Sequence, residues 1–222
     1  RKRMTKVEQA IQEITYRTKK FPGEAFKIIS ENKKEALPYL RSAIEKALIE
    51  RDELEETYDL HFYAFYLLGE FQDKASFPKI LEMLCLPGEI VEYLLGDAIT
   101  MDTKDIVYNV YDGNLELLKS AICNEAVDAF VRSALLDVMA QLYLDGTLNG
   151  EAWKKFLKQL VYCGEEESYL YSGLAGVICR CHFVEMLSEI RFMLEHGLMD
   201  ERVYGDYDSC VDYMFEYRDY EK

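Results

Sequence analysis

The residues best suited to chemistry fall in Cys179-Arg180-Cys181-His182, where cysteine and histidine cluster. On a helix, Cys179 and His182 would share a face with Glu185 one turn further on, but Cys181 would sit about 200° around from Cys179. Structural zinc wants four convergent ligands, so this spacing builds no simple metal site and buried thiols are the better reading. A cysteine or serine nucleophile would need an oriented histidine beside it, yet His61, His182 and His196 are scattered and no local nucleophile signature is present. The runs Glu55-Glu56 and Glu165-Glu166-Glu167 read as solvated surface, because acid–base work requires carboxylates held across a cleft. No glycine-rich phosphate loop occurs. The sequence therefore assigns no catalytic residue, no metal ligand and no cofactor. If the chain were an enzyme, its site would be expected on a concave face near Asp97, Tyr111 and Asp112.

Two stretches suit contact with another protein. Gly96-Asp97-Ala98-Ile99-Thr100 and Tyr111-Asp112-Gly113-Asn114 place acidic and hydroxyl groups at expected inter-helix turns. Their ordinary use is to cap free helix-end amides, and their functional use would be a partner groove formed with Asp97, Thr100, Tyr111 and Asp112. Near the C-terminus, Tyr204, Tyr207, Asp208, Tyr213 and Tyr217 belong to a stretch that alternates rings with carboxylates. Tyrosine offers contact area with a polar tip, and carboxylates would meet Lys or Arg of a partner. The structural alternative is a terminal capping helix that shields the last hairpin. At the other end Arg17, Lys19 and Lys20 form a basic cluster that could meet the acidic body of a second copy head to tail.

The elements that must carry these residues read as helices throughout. Prolines number four, no segment sustains strand-type alternation, and apolar residues recur at helical spacing. Helices are expected near 5–19, 23–31, 35–51, 57–72, 77–86, 89–99, 103–111, 114–123, 127–144, 150–163, 168–181, 186–196 and 206–217. Thr5 with Glu8 makes a capping-box pattern, and Gly113, Gly146, Gly164 and Gly197 each follow an apolar-periodic stretch as a left-handed C-cap would. A repeat emerges on alignment. Phe77, Ile80, Leu81, Leu84 and Cys85 share the spacing of Trp153, Phe156, Leu157, Leu160 and Val161; Leu187, Ile190 and Leu194 continue the template, and Leu115, Leu118 and Ile122 copy it faintly. The preceding helices agree at Leu67-Leu68, Leu94-Leu95, Val138-Met139 and Val177-Ile178. One such hairpin cannot bury its apolar face alone, so neighbours must stack. The expected fold is all-α, an α-solenoid of degenerate HEAT-like antiparallel helix pairs. It would be one domain over 1–222, with basic helices in 1–50, repeats in 57–200 and an acidic, Tyr-rich capping helix in 204–222.

Charge narrows the partner. The net charge over 222 residues is −15, and it is unevenly spread. Residues 1–50 hold 12 basic and 7 acidic side chains, net +5, whereas 51–222 hold 14 and 34, net −20. Such a field repels phosphate backbones and anionic membranes and steers a basic protein inward, so nucleic acid is disfavoured. The longest apolar stretches fall short of the roughly 18 to 20 residues a membrane-spanning helix needs. Six cysteines in a long chain without a signal-peptide core read as reduced thiols of a cytoplasmic protein. The chain begins at Arg1 in a basic run, which reads as a fragment or added residues rather than a targeting signal.

Several stretches resemble a bacterial family of unknown function with HEAT-like repeats, whose members often carry a C-terminal SEC-C zinc motif. They are Phe21-Pro22-Gly23-Glu24-Ala25, Leu68-Gly69-Glu70-Phe71 with Phe77-Pro78, Leu94-Leu95-Gly96-Asp97 with Ile99-Thr100, Tyr111-Asp112-Gly113, and Glu189-Ile190-Arg191 with Gly197-Leu198. The resemblance implies the solenoid fold and brings no catalytic residues. The closely spaced Cys and Cys-His ligands of a SEC-C motif do not occur before Glu221-Lys222, so that module is expected to be missing or cut off. The functional expectation is a non-catalytic protein–protein interaction scaffold with an acidic surface and a basic protein partner.

Overall fold

Helix boundaries follow the capping chemistry of the sequence. In this computed structural model the chain is described from Arg3 to Tyr220, with side chains as far as Glu216. It divides into two compact units, Arg1–Asn114 and Leu115–Lys222.

The first unit holds α1 (Lys6–Thr15), α2 (Gly23–Glu31), α3 (Lys33–Glu50), α4 (Leu60–Glu70), α5 (Phe77–Leu84), α6 (Gly88–Leu95), α7 (Ala98–Met101) and α8 (Thr103–Val110). Thr5 Oγ1 accepts the Glu8 amide at 3.1 Å and starts α1, whose residues Val7, Ala10, Ile11 and Ile14 form one buried face. At the centre lies α4, packed against both α3 and α8. It is apolar nearly all round, as a helix covered on several sides must be: Leu60, Ala64, Phe65, Leu67 and Leu68 are all buried. Where α4 meets α8, Gly69 lets the backbones approach, since a Cβ there would lie 3.1 Å from the Ile106 side chain.

The second unit holds α9 (Leu115–Cys123), α10 (Ala129–Leu144), α11 (Gly150–Tyr162), α12 (Tyr169–Arg180), α13 (Leu187–Glu195), α14 (Glu201–Tyr204) and α15 (Tyr207–Tyr220). Asp128 caps α10 by accepting the Phe130 and Val131 amides at 2.9 and 3.2 Å. The long pair α10 and α12 forms the middle of this unit, with α15 against α12 and α13. The stripe on α11 is core: Trp153, Phe156, Leu157 and Val161 are buried, and Trp153 Nε1 donates to Cys181 Sγ at 3.4 Å.

The thirteen expected helices are all present, most of them within a residue or two of their expected ends and a few shorter by up to four, and two single-turn helices, α7 and α14, are additional. Among the described residues there is no strand, only an isolated antiparallel bridge between Tyr16 and Tyr58. No helix of the described residues is long and apolar enough to cross a membrane. One cap differs from expectation. Gly113, Gly146 and Gly197 are left-handed, but Gly164 is not; its missing side chain instead leaves room for Tyr171, whose hydroxyl would lie 2.7 Å from a Cβ at 164.

The same turn ends α4 and α12. Gln72 and His182 adopt left-handed φ of 53° and 56°. The next amide reaches back to the helix, Asp73 N to the Leu68 carbonyl at 3.0 Å and Phe183 N to the Ile178 carbonyl at 3.1 Å. A single 3-10 turn follows each, Lys74–Ser76 and Val184–Met186, and leads into α5 and α13. This is a Schellman-type stop with a non-glycine residue in the strained position. In the first unit the turn is pinned by Asp73, whose carboxylate accepts Arg41 Nε and Nη2 at 2.8 and 2.6 Å and Ser76 Oγ at 2.5 Å.

Candidate functional site: an aromatic and acidic cleft

A cleft of about 690 Å³ opens in the first unit between α4, the connection preceding it, and the stretch from Tyr93 to Asp102. The spacing of residues on and before α4 makes its aromatic wall. Phe62 and Tyr66 lie four residues apart on α4 and so share one face, and Tyr58 joins them from the connection before the helix. Phe62 and Tyr66 have ring centroids 5.1 Å apart. Tyr63 is held edge-on by Phe26 at 4.9 Å, and Tyr58 by Tyr16 at 5.7 Å. Tyr93 closes the far side and donates its hydroxyl to the Leu54 carbonyl.

Acidic groups surround these rings. Glu55, Glu56, Asp59, Asp97 and Asp102 line the cleft against a single guanidinium, Arg17. Arg17 forks onto Asp59 at 3.2 and 3.4 Å and donates to the Glu56 carbonyl at 3.1 Å. Tyr66 donates to Asp102 Oδ2 at 2.5 Å. Burial and this carboxylate hold the Tyr66 phenol well above its ordinary range, and burial pushes Tyr58 up to about 12.

His61 lines the same cleft and is only 5% exposed, its ring parallel to Tyr58 with centroids 5.6 Å apart. Its Nε2 lies 2.7 Å from the Leu94 carbonyl. A carbonyl can only accept, so Nε2 carries the proton and Nδ1 is left as a bare acceptor. That Nδ1 is buried without a hydrogen-bond partner. Burial lowers the pKa of His61 and keeps the ring neutral. No serine, threonine, cysteine or lysine lines the cleft, so His61 has no nucleophile to activate there. Aromatic faces, carboxylates and an orphan acceptor equip the cleft to bind a cationic donor.

The second unit has a more open groove of about 680 Å³ on α11, lined by Lys154, Lys155, Lys158, Tyr162 and Cys163 among others. Lys154 sits between Glu151 at 2.8 Å and Glu185 at 3.0 Å.

The expected partner-binding residues are dispersed. Asp97 lines the cleft. Thr100 is exposed on α7 and donates to the Asp97 carbonyl at 3.3 Å. Tyr111 packs edge-on against Phe77 at 5.4 Å, and Asp112 accepts the Asn114 amide at 2.9 Å as a turn residue. Tyr204 meets Tyr213 at 5.2 Å, and its hydroxyl lies over Gly176 of α12. Tyr207 lies under the Arg191 guanidinium, 4.2 Å from ring centroid to carbon, and Asp208 is exposed. The side chain of Tyr217 lies outside the described residues. The Cys/His cluster does not converge: Cys179 Sγ donates to the Cys210 carbonyl at 3.5 Å, while Cys181 accepts from Trp153.

The cleft's aromatic residues escaped the sequence reading because α4 resembles a plain apolar run. The available signal was the four-residue spacing of Tyr58, Phe62 and Tyr66 beside Asp59.

Fold and site together define an all-helical protein with an acidic, aromatic-lined cleft. The chain belongs to the family described as a protein of unknown function, DUF1186, which matches residues 5–219. It is similar to an uncharacterised protein of Chlamydia muridarum (strain MoPn / Nigg), 25% identical over 199 residues that cover 88% of this chain and 80% of the relative. It is also similar to an uncharacterised protein of Chlamydia trachomatis serovar D, 23% identical over 198 residues, 87% of this chain and 78% of the relative. No solved structure matches.

Proposed function

We propose that this protein is a non-catalytic binding protein, a cytoplasmic scaffold or adaptor that engages a basic protein partner through the acidic cleft of its first unit. The observation that carries the reading is the cleft's composition, five carboxylates and one guanidinium around a wall of tyrosine and phenylalanine. Aromatic anchors supply binding energy on desolvation, and the surrounding charge speeds encounter with a basic surface. Of the residues expected to contact a partner, Asp97 belongs to this site. In this reading Tyr204, Tyr207 and Tyr213 pack the end of the second unit, and Asp208 adds to the acidic surface.

The same proposal includes HEAT-like helical hairpins stacked as a solenoid, within one domain. Its support is the matched stop, 3-10 turn and apolar helix that follow both α4 and α12, with Phe77, Ile80 and Leu84 answered by Leu187, Ile190 and Leu194.

The test is affinity capture from bacterial lysate with two baits, the native chain and a variant carrying Glu55→Gln, Glu56→Gln and Asp97→Asn. Basic proteins enriched by the native chain at low salt, and lost both in the variant and at high salt, are the expected result. Equal enrichment by both baits would overturn the role given to the cleft.

A further inference from the structure

The binding role just proposed does not name the group that enters the cleft, and the cleft's own chemistry narrows it. Three features bear on the choice. First, the cleft already accepts a guanidinium: Arg17 lies against Asp59 and the Glu56 carbonyl, in a pair whose arginine is 57% exposed and therefore easily displaced. Second, the wall presents the partly exposed rings of Phe62, Tyr63 and Tyr93, on which a planar guanidinium stacks better than a compact, strongly hydrated ammonium. Third, His61 Nδ1 is a buried acceptor without a hydrogen-bond donor in a cleft that is also lined by carboxylates. A group with five N–H donors in a fixed fork can meet a carboxylate and still have donors left, whereas an ammonium offers three from one point.

We propose that the cleft binds an arginine side chain presented on an extended segment of the basic partner, its guanidinium held between the aromatic wall and the carboxylates Asp59 and Asp97, with His61 Nδ1 as the deepest acceptor. This rests on the adaptor reading above. Arg17 then acts as an internal competitor that fills part of the guanidinium site when no partner is present. The aliphatic stem of the incoming arginine covers the rings of Phe62 and Tyr93, replacing water over apolar surface.

The experiment titrates the whole chain with three short peptides of equal length, rich in arginine, lysine or citrulline, by calorimetry and by NMR of the histidine ring nitrogens. His182 and His196 lie in the other unit and serve as references. The expected result is several-fold tighter binding of the arginine peptide than of the lysine peptide, and no binding of the citrulline peptide, which keeps the shape without the charge. The His61 Nδ1 resonance should move on saturation while those of His182 and His196 stay. Glu55→Gln with Asp97→Asn, both exposed positions whose fold is checked by circular dichroism, should weaken the arginine peptide several-fold, and Arg17→Gln should tighten it.

Equal affinity for arginine and lysine peptides, both weakened by the carboxylate variant, would overturn the guanidinium inference and leave the acidic adaptor reading standing. An unmoved His61 resonance at saturation would also overturn it. If neither peptide binds, the inference fails, and the two-bait capture decides the adaptor reading separately.

Discussion

Gly173→Ala tests the packing at the middle of the second unit. A Cβ at 173 on α12 would lie 2.2 Å from Ser133 Oγ, 2.9 Å from Ser133 Cβ and 3.4 Å from its Cα on α10. The first overlap can be relieved by rotating the hydroxyl, but the second cannot, because Ser133 Cβ is fixed to the α10 backbone. Normal carbon separations are about 3.5 to 4.0 Å, so the helices must part by roughly 0.5 Å, forfeiting dispersion along their length. Overpacking of this kind costs about 1 to 3 kcal/mol. Alanine returns about 1 kcal/mol through its helix propensity over glycine. The balance is a net loss of up to about 2 kcal/mol, and at about 2 to 4 °C per kcal/mol in a chain of this size, Tm falls by up to about 8 °C. Thermal and urea unfolding followed by circular dichroism read both quantities. Ser133→Gly in the Gly173→Ala background should recover part of the loss by removing the obstructing atoms. A Gly173→Ala variant more stable than the parent by about 1 kcal/mol, the helix-propensity gain with no overpacking against it, would refute the close helix contact on which this reasoning depends.

Trp153→Ala should cost about 3 to 5 kcal/mol, since the ring is fully buried beside Phe156 and its N–H bonds to Cys181; a change below about 0.5 kcal/mol in urea unfolding would mark the α11 stripe as surface. Asp128→Ala should cost about 1 kcal/mol by stripping the α10 N-cap, with Asp128→Asn retaining most of it. Stability should fall in acid through two groups held below their ordinary pKa. Asp73 is lowered chiefly by its hydrogen bonds from Arg41, so its contribution is present above the unfolded carboxylate pKa and is lost as pH drops toward the folded value. His61 is lowered by burial, so between its ordinary and folded pKa the unfolded chain takes the proton first and stability again declines with falling pH. Asp73→Asn should flatten the lower limb of the stability–pH curve, which urea titrations at successive pH values measure directly.

Periodicity made the fold readable and the cleft hard to see. Long amphipathic helices such as α11 announced themselves, because Trp153, Phe156, Leu157 and Val161 recur at helical spacing. The four-residue helices α7 and α14 are too short to show a period. Left-handed stops at Gln72 and His182 were illegible, since glycine is the usual occupant and local hydrogen bonding chose otherwise. The cleft depends on residues from Arg17 to Asp102 meeting in space, which no local pattern encodes; Asp97 was singled out as a partner-contact residue and Arg17 only as part of a basic cluster facing a second copy.

The burial of Trp153 has an optical consequence. It is the sole tryptophan of the chain and lies in the second unit, so indole emission reports on 115–222 alone. Far-ultraviolet dichroism sees the helices of both units at once. Melting curves from the two probes that superimpose would mark one cooperative folding body, as expected of a single domain; curves that separate would give each unit its own unfolding temperature, and ligand added to the first unit would then shift only the transition to which the indole is blind.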